Sequence, residues 1–360
     1  MQTLIATSVR PLTARVCVAV LVTSALVGCA APSSTEAGTA TGDQDLQQCV
    51  EPGEGGSPGA APCGDKLGAY GLSMLTPTPE GLYALASRRT VVSIPRDRTA
   101  PETLATVDNA LGMTVDDTHL YVLNQGMGSS YEILAIDRQT GTVRTLATSP
   151  HSAGFAYSDE PGPMAISKGT LYWSECGGGS THSALGSIRS LDLAAPAARP
   201  RTLATRVNCT ESIAVDETHV YWSDKDSIER VALAGGTRQR FASTTVDPLH
   251  PSGPRALAVG AGFVYWSDRI QGNIYRAPTS NGSAPTKVAN AWPARITLAG
   301  GYVYFTGGIG VSRAAVDGST RLESVVSGNT VSDVALSGPD LYWSGYRGVF
   351  RRKLANSPVE

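Results

Sequence analysis

Ile213-Ala-Val-Asp-Glu-Thr-His-Val-Tyr-Trp-Ser-Asp224 returns as Leu257-Ala-Val-Gly-Ala-Gly-Phe-Val-Tyr-Trp-Ser-Asp268, and has already occurred as Met164-Ala-Ile-Ser-Lys-Gly-Thr-Leu-Tyr-Trp-Ser-Glu175. The same frame stands at Met113 to Asn124, Ile296 to Gly307 and Val334 to Gly345, and more weakly at Leu72 to Ser87. Its central tyrosines are Tyr83, Tyr121, Tyr172, Tyr221, Tyr265, Tyr304 and Tyr342, spaced by 38, 51, 49, 44, 39 and 38 residues. Self-similarity at such a period marks repeated supersecondary units that bury their apolar faces only against one another.

Each unit reads as four short strands. In the best-defined one they are Ile213 to Val215, Val220 to Ser223, Ile228 to Leu233 and, after Gly235-Gly236, Arg240 to Ser243. Successive strand residues point to opposite faces, so Tyr221 and Trp222 must lie on opposite sides of their sheet. Two large neighbouring aromatics are stable there only if both faces are buried. Small sheets stacked face to face around an axis meet that condition. The predicted fold is an all-β β-propeller of four-stranded antiparallel blades, seven-bladed by the count of units, with six blades as the alternative if the degenerate first unit is something else. Trp173, Trp222, Trp266 and Trp343, four of the five tryptophans, share one slot and are expected to pack between blades.

The segments Tyr172-Trp173-Ser174-Glu175, Tyr221-Trp222-Ser223-Asp224, Tyr265-Trp266-Ser267-Asp268 and Tyr342-Trp343-Ser344-Gly345 resemble the YWTD repeats of low-density-lipoprotein-receptor class B propellers, with Ser in place of Thr. The resemblance extends over about residues 70 to 354. It implies the fold and little about function, since propellers host many functions. That family's propellers are usually six-bladed, whereas seven units are counted here.

Composition agrees with strands and turns. Glycine (39) and proline (22) are abundant and charged residues are only 17%, a balance unsuited to helical bundles or coiled coils. A hydrophobic content of 41% and a net charge of -2 exclude a disordered chain.

The N-terminus carries Arg10 and Arg15, an apolar stretch from Val16 to Gly28, then Cys29, the layout of a secretory signal. The apolar stretch is shorter than the ~20 residues of a spanning helix. Leu26-Val27-Gly28-Cys29 resembles the lipobox of bacterial lipoproteins, which implies cleavage before Cys29, lipidation of its thiol and a membrane anchor. Ala30 resembles the sorting residue of outer-membrane lipoproteins, if the cell is Gram-negative. The expected organisation is a signal peptide at 1–28, a lipidated cysteine and flexible tether at 29–65, and the propeller at 66–360. The tether holds a formal G-x-S-x-G at Gly55, Ser57 and Gly59, but no strand and helix flank it to make a nucleophile elbow. Removing residues 1–28 leaves 27 basic against 31 acidic residues, so nucleic-acid binding has no electrostatic basis.

Export predicts disulfides for the remaining cysteines, Cys176 with Cys209 and Cys49 with Cys63. The last unit has too little chain after Val349 to Leu354 for a fourth strand. A segment near Leu46 to Val50 is therefore expected to complete it and close the ring.

In an antiparallel meander, the first-to-second and third-to-fourth turns lie on one face of the disc, here called the turn face. The second-to-third loops and the connections between blades lie on the other, the loop face. The longest loops fall on the loop face and carry His151, His182 and His250, with Glu175 nearby. These histidines form either a metal or acid/base set or simply solvated loops, and no ligand spacing favours a metal. Glu211, Arg255, Arg295 and Asp333 enter the axial channel, as a small-ligand site or a salt-bridged plug. The expected function is binding or scaffolding of a protein or small molecule on the loop face, with no cofactor. The alternatives are a lyase or lactonase-type enzyme with a metal at the channel mouth, and an envelope assembly factor.

Overall fold

The computed structural model describes residues 64–354 apart from 69–70, 99, 126–130, 150–163, 176–185, 196–198, 209, 245–253, 269, 308–309, 328–329 and 347. The described residues form strands and turns without helices, so no helix among them is long and apolar enough to cross a membrane. The strands assemble into seven four-stranded antiparallel sheets, each a blade. Blade 4 is typical: Ile213–Val215 innermost, then His219–Asp224, Ser227–Ala232 and Gln239–Ser243 outermost. The innermost strands of successive blades neighbour one another around the ring, first and last included. The protein is a seven-bladed β-propeller, and the degenerate first unit is a regular blade from Leu72–Thr78 to Glu102–Thr106.

The Tyr-Trp alternation builds the ring. Among the described residues, seven apolar clusters each span one interface between blades. Tyr172 of blade 3 packs toward blade 4, among Ile213, Val220 and Trp222, while adjacent Trp173 packs back toward blade 2, against Tyr121 and Tyr131. Tyr221, Tyr265, Tyr304 and Tyr342 likewise face the following blade, and Trp222, Trp266, Phe305 and Trp343 the preceding one. All four slot tryptophans are at most 1% exposed. Aromatics of this size bury about 150–250 Å² each and supply much of the cohesion between blades.

The ring closes with a strand other than the one expected. Asp65–Gly68, not Leu46 to Val50, pairs with Gly348–Lys353 as the fourth strand of blade 7. Elsewhere the outer strand of one blade runs directly into the inner strand of the next. Asp65–Gly68 does the same, leading at once into Leu72–Thr78 of blade 1. Its Leu67, fully buried, joins Ala335, Tyr342 and Val349 of blade 7 to Leu72, Leu75, Leu82 and Ile94 of blade 1. Polar bonds stitch the same seam: Arg96 donates to Asp340 (2.6 Å) and to the Ser337 carbonyl (2.9 Å), and Ser337 and Arg351 donate to the Thr78 and Arg96 carbonyls. Residues Leu46 to Val50, with Cys49 and Cys63, lie outside the described residues.

Two turn chemistries recur between first and second strands. Lys168-Gly169 and Ala261-Gly262 are two-residue loops with positive φ at both positions (49° and 72°, 50° and 77°), the geometry of twist-matched hairpin turns. Blades 2 and 4 instead use an aspartate to hold the turn, as described below.

Candidate functional site

The loop-face mouth of the axial channel is built by residues that enter the inner strands. Arg295 begins the inner strand of blade 6 and Asp333 lies near the start of that of blade 7, while Glu211 and Arg255 precede those of blades 4 and 5. The four stand as two cross-blade ion pairs. Arg255 Nε lies 3.5 Å from Glu211 Oε2, and Arg295 Nε lies 3.8 Å from Asp333 Oδ1. Asp333 is also a closing element of the ring: its Oδ2 accepts the backbone N–H of Leu75 in blade 1 (2.9 Å) and its Oδ1 that of Val334 (2.9 Å). Beside it, a cavity of about 210 Å³ opens among the inner strands of blades 6, 7, 1 and 2. On the turn face, a groove of about 620 Å³ crosses blades 3 to 5, with Lys168 and Glu217 3.9 Å apart on its rim.

Glu175 does not join this mouth. It is buried at the end of the second strand of blade 3, where Oε1 accepts the Tyr131 hydroxyl of blade 2, Oε2 accepts Ser187 Oγ (2.9 Å), and Arg189 Nε lies 3.4 Å away. Trp173 Nε1 donates to the same Tyr131 oxygen (3.0 Å), so the carboxylate knots two blades together. The corresponding Asp224 of blade 4 is met by Arg238 Nη2 (2.6 Å), whose Nε reaches Glu229 (3.0 Å) and whose guanidinium lies over Trp222. In both blades an acidic residue ending the aromatic strand is neutralised by an arginine from further out in the sheet. His151, His182, His250, Cys29, Cys176 and Cys209 lie outside the described residues. Among those described, no group of three His, Cys, Asp or Glu side chains is placed to hold a metal.

The loop face also carries exposed aromatic surface. Trp292, in the connection from blade 5 to blade 6, is 64% exposed, and Tyr346, in the second-to-third loop of blade 7, is 85% exposed. The Trp292 indole lies over Gly272 of the second-to-third loop of blade 5; a Cβ at that position would come within 2.4 Å of it. The strand ends flanking three of the longest connections, Ser149 and Met164, Glu175 and Gly186, Ser243 and Leu257, open on this face too.

A family model described as a repeat of unknown function (DUF6923) matches residues 79–334, from the first hairpin turn of blade 1 to the inner strand of blade 7. The chain belongs to this family. Among curated proteins none matches it. Solved structures similar to this DUF6923 member include virginiamycin B lyase from Staphylococcus aureus, with a TM-score of 0.57 and 14% identity over 79% of this chain and 94% of that one. The computationally designed Ika8 protein gives 0.56 and 13%, over 82% and 89%. The extracellular domain of a putative one-component system, BT4673, from B. thetaiotaomicron gives 0.57 and 14%, over 80% of this chain and 39% of that one. At these identities the likeness is one of fold.

One constellation in this family member is not apparent from the repeat, in which His119 and His219 merely fill a slot that tolerates many residues. In Asp116-Asp117-Thr118-His119-Leu120-Tyr121 and Asp216-Glu217-Thr218-His219-Val220-Tyr221 the leading aspartate organises the whole turn. Oδ1 of Asp216 accepts the N–H groups of Thr218 and His219 (2.6 and 2.7 Å) and the Thr218 hydroxyl, while Oδ2 accepts the Tyr221 hydroxyl (2.9 Å). Asp116 repeats this bond for bond. Burial alone would push both carboxyls upward, but the donors together hold them below the ordinary value, and burial with the aspartate bond pushes the Tyr121 and Tyr221 hydroxyls upward. The near-identity of the two hexads is the signal in the sequence that marks them.

Proposed function

We propose that this protein is a lipid-anchored extracytoplasmic propeller that acts as a scaffold, binding a partner on its loop face. The observation that carries the reading is the exposure of Trp292 and Tyr346 on that face, in a chain whose other described aromatics mostly fill seams between blades. Tryptophan and tyrosine are the side chains most enriched in the energetic centres of interfaces, where a large rigid ring is desolvated at small entropic cost. The secretory layout ending in Leu26-Val27-Gly28-Cys29 supports the envelope location and the anchor. So does likeness in fold to an extracellular domain.

The test is recovery of cross-linked partners from envelopes bearing the lipidated protein, compared with Trp292→Ala/Tyr346→Ala and with Leu322→Ala as a control on the turn face. A partner retained by the wild type and the control but lost by the double variant supports the reading. Equal recovery by all three proteins sinks it.

The rival reading is a lyase-type enzyme, to which the fold likeness to virginiamycin B lyase lends weight. At the channel mouth, however, the described carboxylates Glu211 and Asp333 already face arginines. Elemental analysis separates the readings: a stoichiometric divalent ion lost on replacing His151, His182 and His250 by Ala favours the enzyme.

A further inference from the structure

The connection from blade 5 to blade 6 holds its exposed tryptophan rigidly. The Ala291 N–H donates to the Gly272 carbonyl (2.8 Å) and the Ala294 N–H to the Thr306 carbonyl (2.7 Å), so the main chain fixes Trp292 on both sides, with buried Pro293 next to it. Two glycines admit it. Gly272, at φ 62°, leaves no room for a Cβ beneath the indole, and a Cβ on Gly307 would collide with the Trp292 carbonyl. One face of the ring is thus seated on Gly272, yet the side chain stays 64% exposed. Water disfavours an apolar ring held in this way, and an incidental surface aromatic needs no such seat.

A planar amide is fixed beside the ring. In the second-to-third loop of blade 5, Asp268 Oδ1 accepts the N–H groups of Ile270 and Gln271 (3.0 and 2.9 Å). The Tyr275 hydroxyl donates to Gln271 Oε1 (2.7 Å), and Asn273 Nδ2 donates to that oxygen and to the Tyr275 oxygen (3.3 Å each). Tyr275 in turn stacks on buried Trp266, with ring centroids 6.2 Å apart. Two donors hold the amide oxygen, so exposed Gln271, the residue before Gly272, keeps its NH2 group for a ligand. Charges on the neighbouring described residues are engaged: Asp268 is 4% exposed and turned onto the loop backbone, and Lys287 Nζ bonds Asn290 Oδ1 (3.0 Å). A flat, pinned ring with neutral amide donors at its side matches a pyranose. The sugar's axial C–H groups meet the electron-rich ring face, and its hydroxyls accept from the amide. From this geometry we infer that the partner bound on the loop face is a neutral glycan, one pyranose stacked on Trp292 and accepting from Gln271 Nε2. The inference rests on the loop-face binding reading and names the class of its partner.

The experiment titrates the mature protein with cellohexaose and chitohexaose, neutral β-linked chains with flat C–H faces, and with hexagalacturonate, a charged chain. Calorimetry measures affinity, and tryptophan fluorescence reports on Trp292, since the other four tryptophans are at most 1% exposed. At least one neutral chain is expected to bind with a blue shift, and hexagalacturonate at least about tenfold more weakly. Trp292→Ala is expected to abolish binding and Gln271→Ala to weaken it by about fivefold. Gly272→Ala keeps the indole but unseats it, and should weaken binding at least about tenfold in a protein that still melts cooperatively. The inference is overturned if neither neutral chain binds at 10-millimolar order of concentration, if hexagalacturonate binds as tightly, or if folded Trp292→Ala or Gly272→Ala protein binds unchanged. A protein partner that is lost with Trp292 and Tyr346 while no glycan binds overturns this inference and leaves the scaffold reading standing.

Discussion

Leu67 offers a direct test of how the ring is held shut. It lies on a strand of only four residues, Asp65–Gly68, yet its side chain is fully buried where blade 7 meets blade 1. Replacing it by alanine removes the apolar contacts that tie the incoming chain to Leu72, Leu75, Leu82 and Val349. Buried Leu→Ala changes cost about 3–5 kcal/mol, the spread reflecting how far the cavity collapses. The short strand can shift toward the gap more easily than a central one, so we take the lower end, about 3 kcal/mol. For a ring of this size each kcal/mol moves the midpoint by about 2–4 °C, which predicts a fall of about 6–12 °C. Thermal unfolding followed by tryptophan fluorescence is the assay, since Trp343 lies within blade 7. Val143→Ala, on an exposed outer strand, is the control and is expected to cost less than about 0.5 kcal/mol. If Leu67→Ala and Val143→Ala melt within about 1 °C of each other, Asp65–Gly68 does not close the ring and the topological argument for it fails.

Other perturbations address other joints of the structure. Asp116→Asn with Asp216→Asn removes charge-assisted acceptors whose folded pKa values are depressed. The wild type should exceed the double variant by about 1.5–3 kcal/mol per turn above the ordinary carboxylate pKa of ~4, and the gap should close as pH falls through the lower folded values. Urea titrations at pH 7 and pH 3 measure this, and a gap that widens in acid contradicts it. Glu175→Ala removes the carboxylate that Tyr131, Ser187 and Arg189 share across the blade 2–3 seam and should destabilise by about 3 kcal/mol in chemical denaturation; an unchanged midpoint would show that this knot does not hold the two blades together. Gly262→Ala introduces a methyl group into open space at φ 77°, so its whole cost is backbone strain of about 1–2 kcal/mol. A neutral result in the same denaturation assay would mean that the turn relaxes.

The periodic core of this protein is legible in the chain itself. An alternating Tyr-Trp pair is a local pattern, and strand geometry alone sends the two rings to opposite faces, so Tyr221 facing blade 5 and Trp222 facing blade 3 follow from adjacency in the chain. Repetition of the frame around its tyrosine counts seven units, although Ala84, Val122 and Phe305 stand where the indole would be and the weak first unit leaves six blades as the alternative until the structure shows seven. The turn built by Asp216 is equally local, yet it is easily passed over beside His219, the more familiar chemical group.

What the sequence could not decide are encounters between distant residues. The bond from Leu75 to Asp333 joins positions 258 apart and exists only because seven blades bring the last inner strand beside the first, while Arg295 meets Asp333 across the seam between blades 6 and 7. Asp65-Lys66-Leu67-Gly68 carries one apolar side chain and no recognisable strand period, so nothing local distinguishes it from the tether before it. It becomes a strand because the outer edge of blade 7 is open and the chain must pass there to enter blade 1. Glu175 accepts the Tyr131 hydroxyl of the neighbouring blade because stacking blade 3 on blade 2 brings the two together, a contact no local pattern announces. Local periodicity specifies the blades, whereas closing them into a ring determines which charges meet across it.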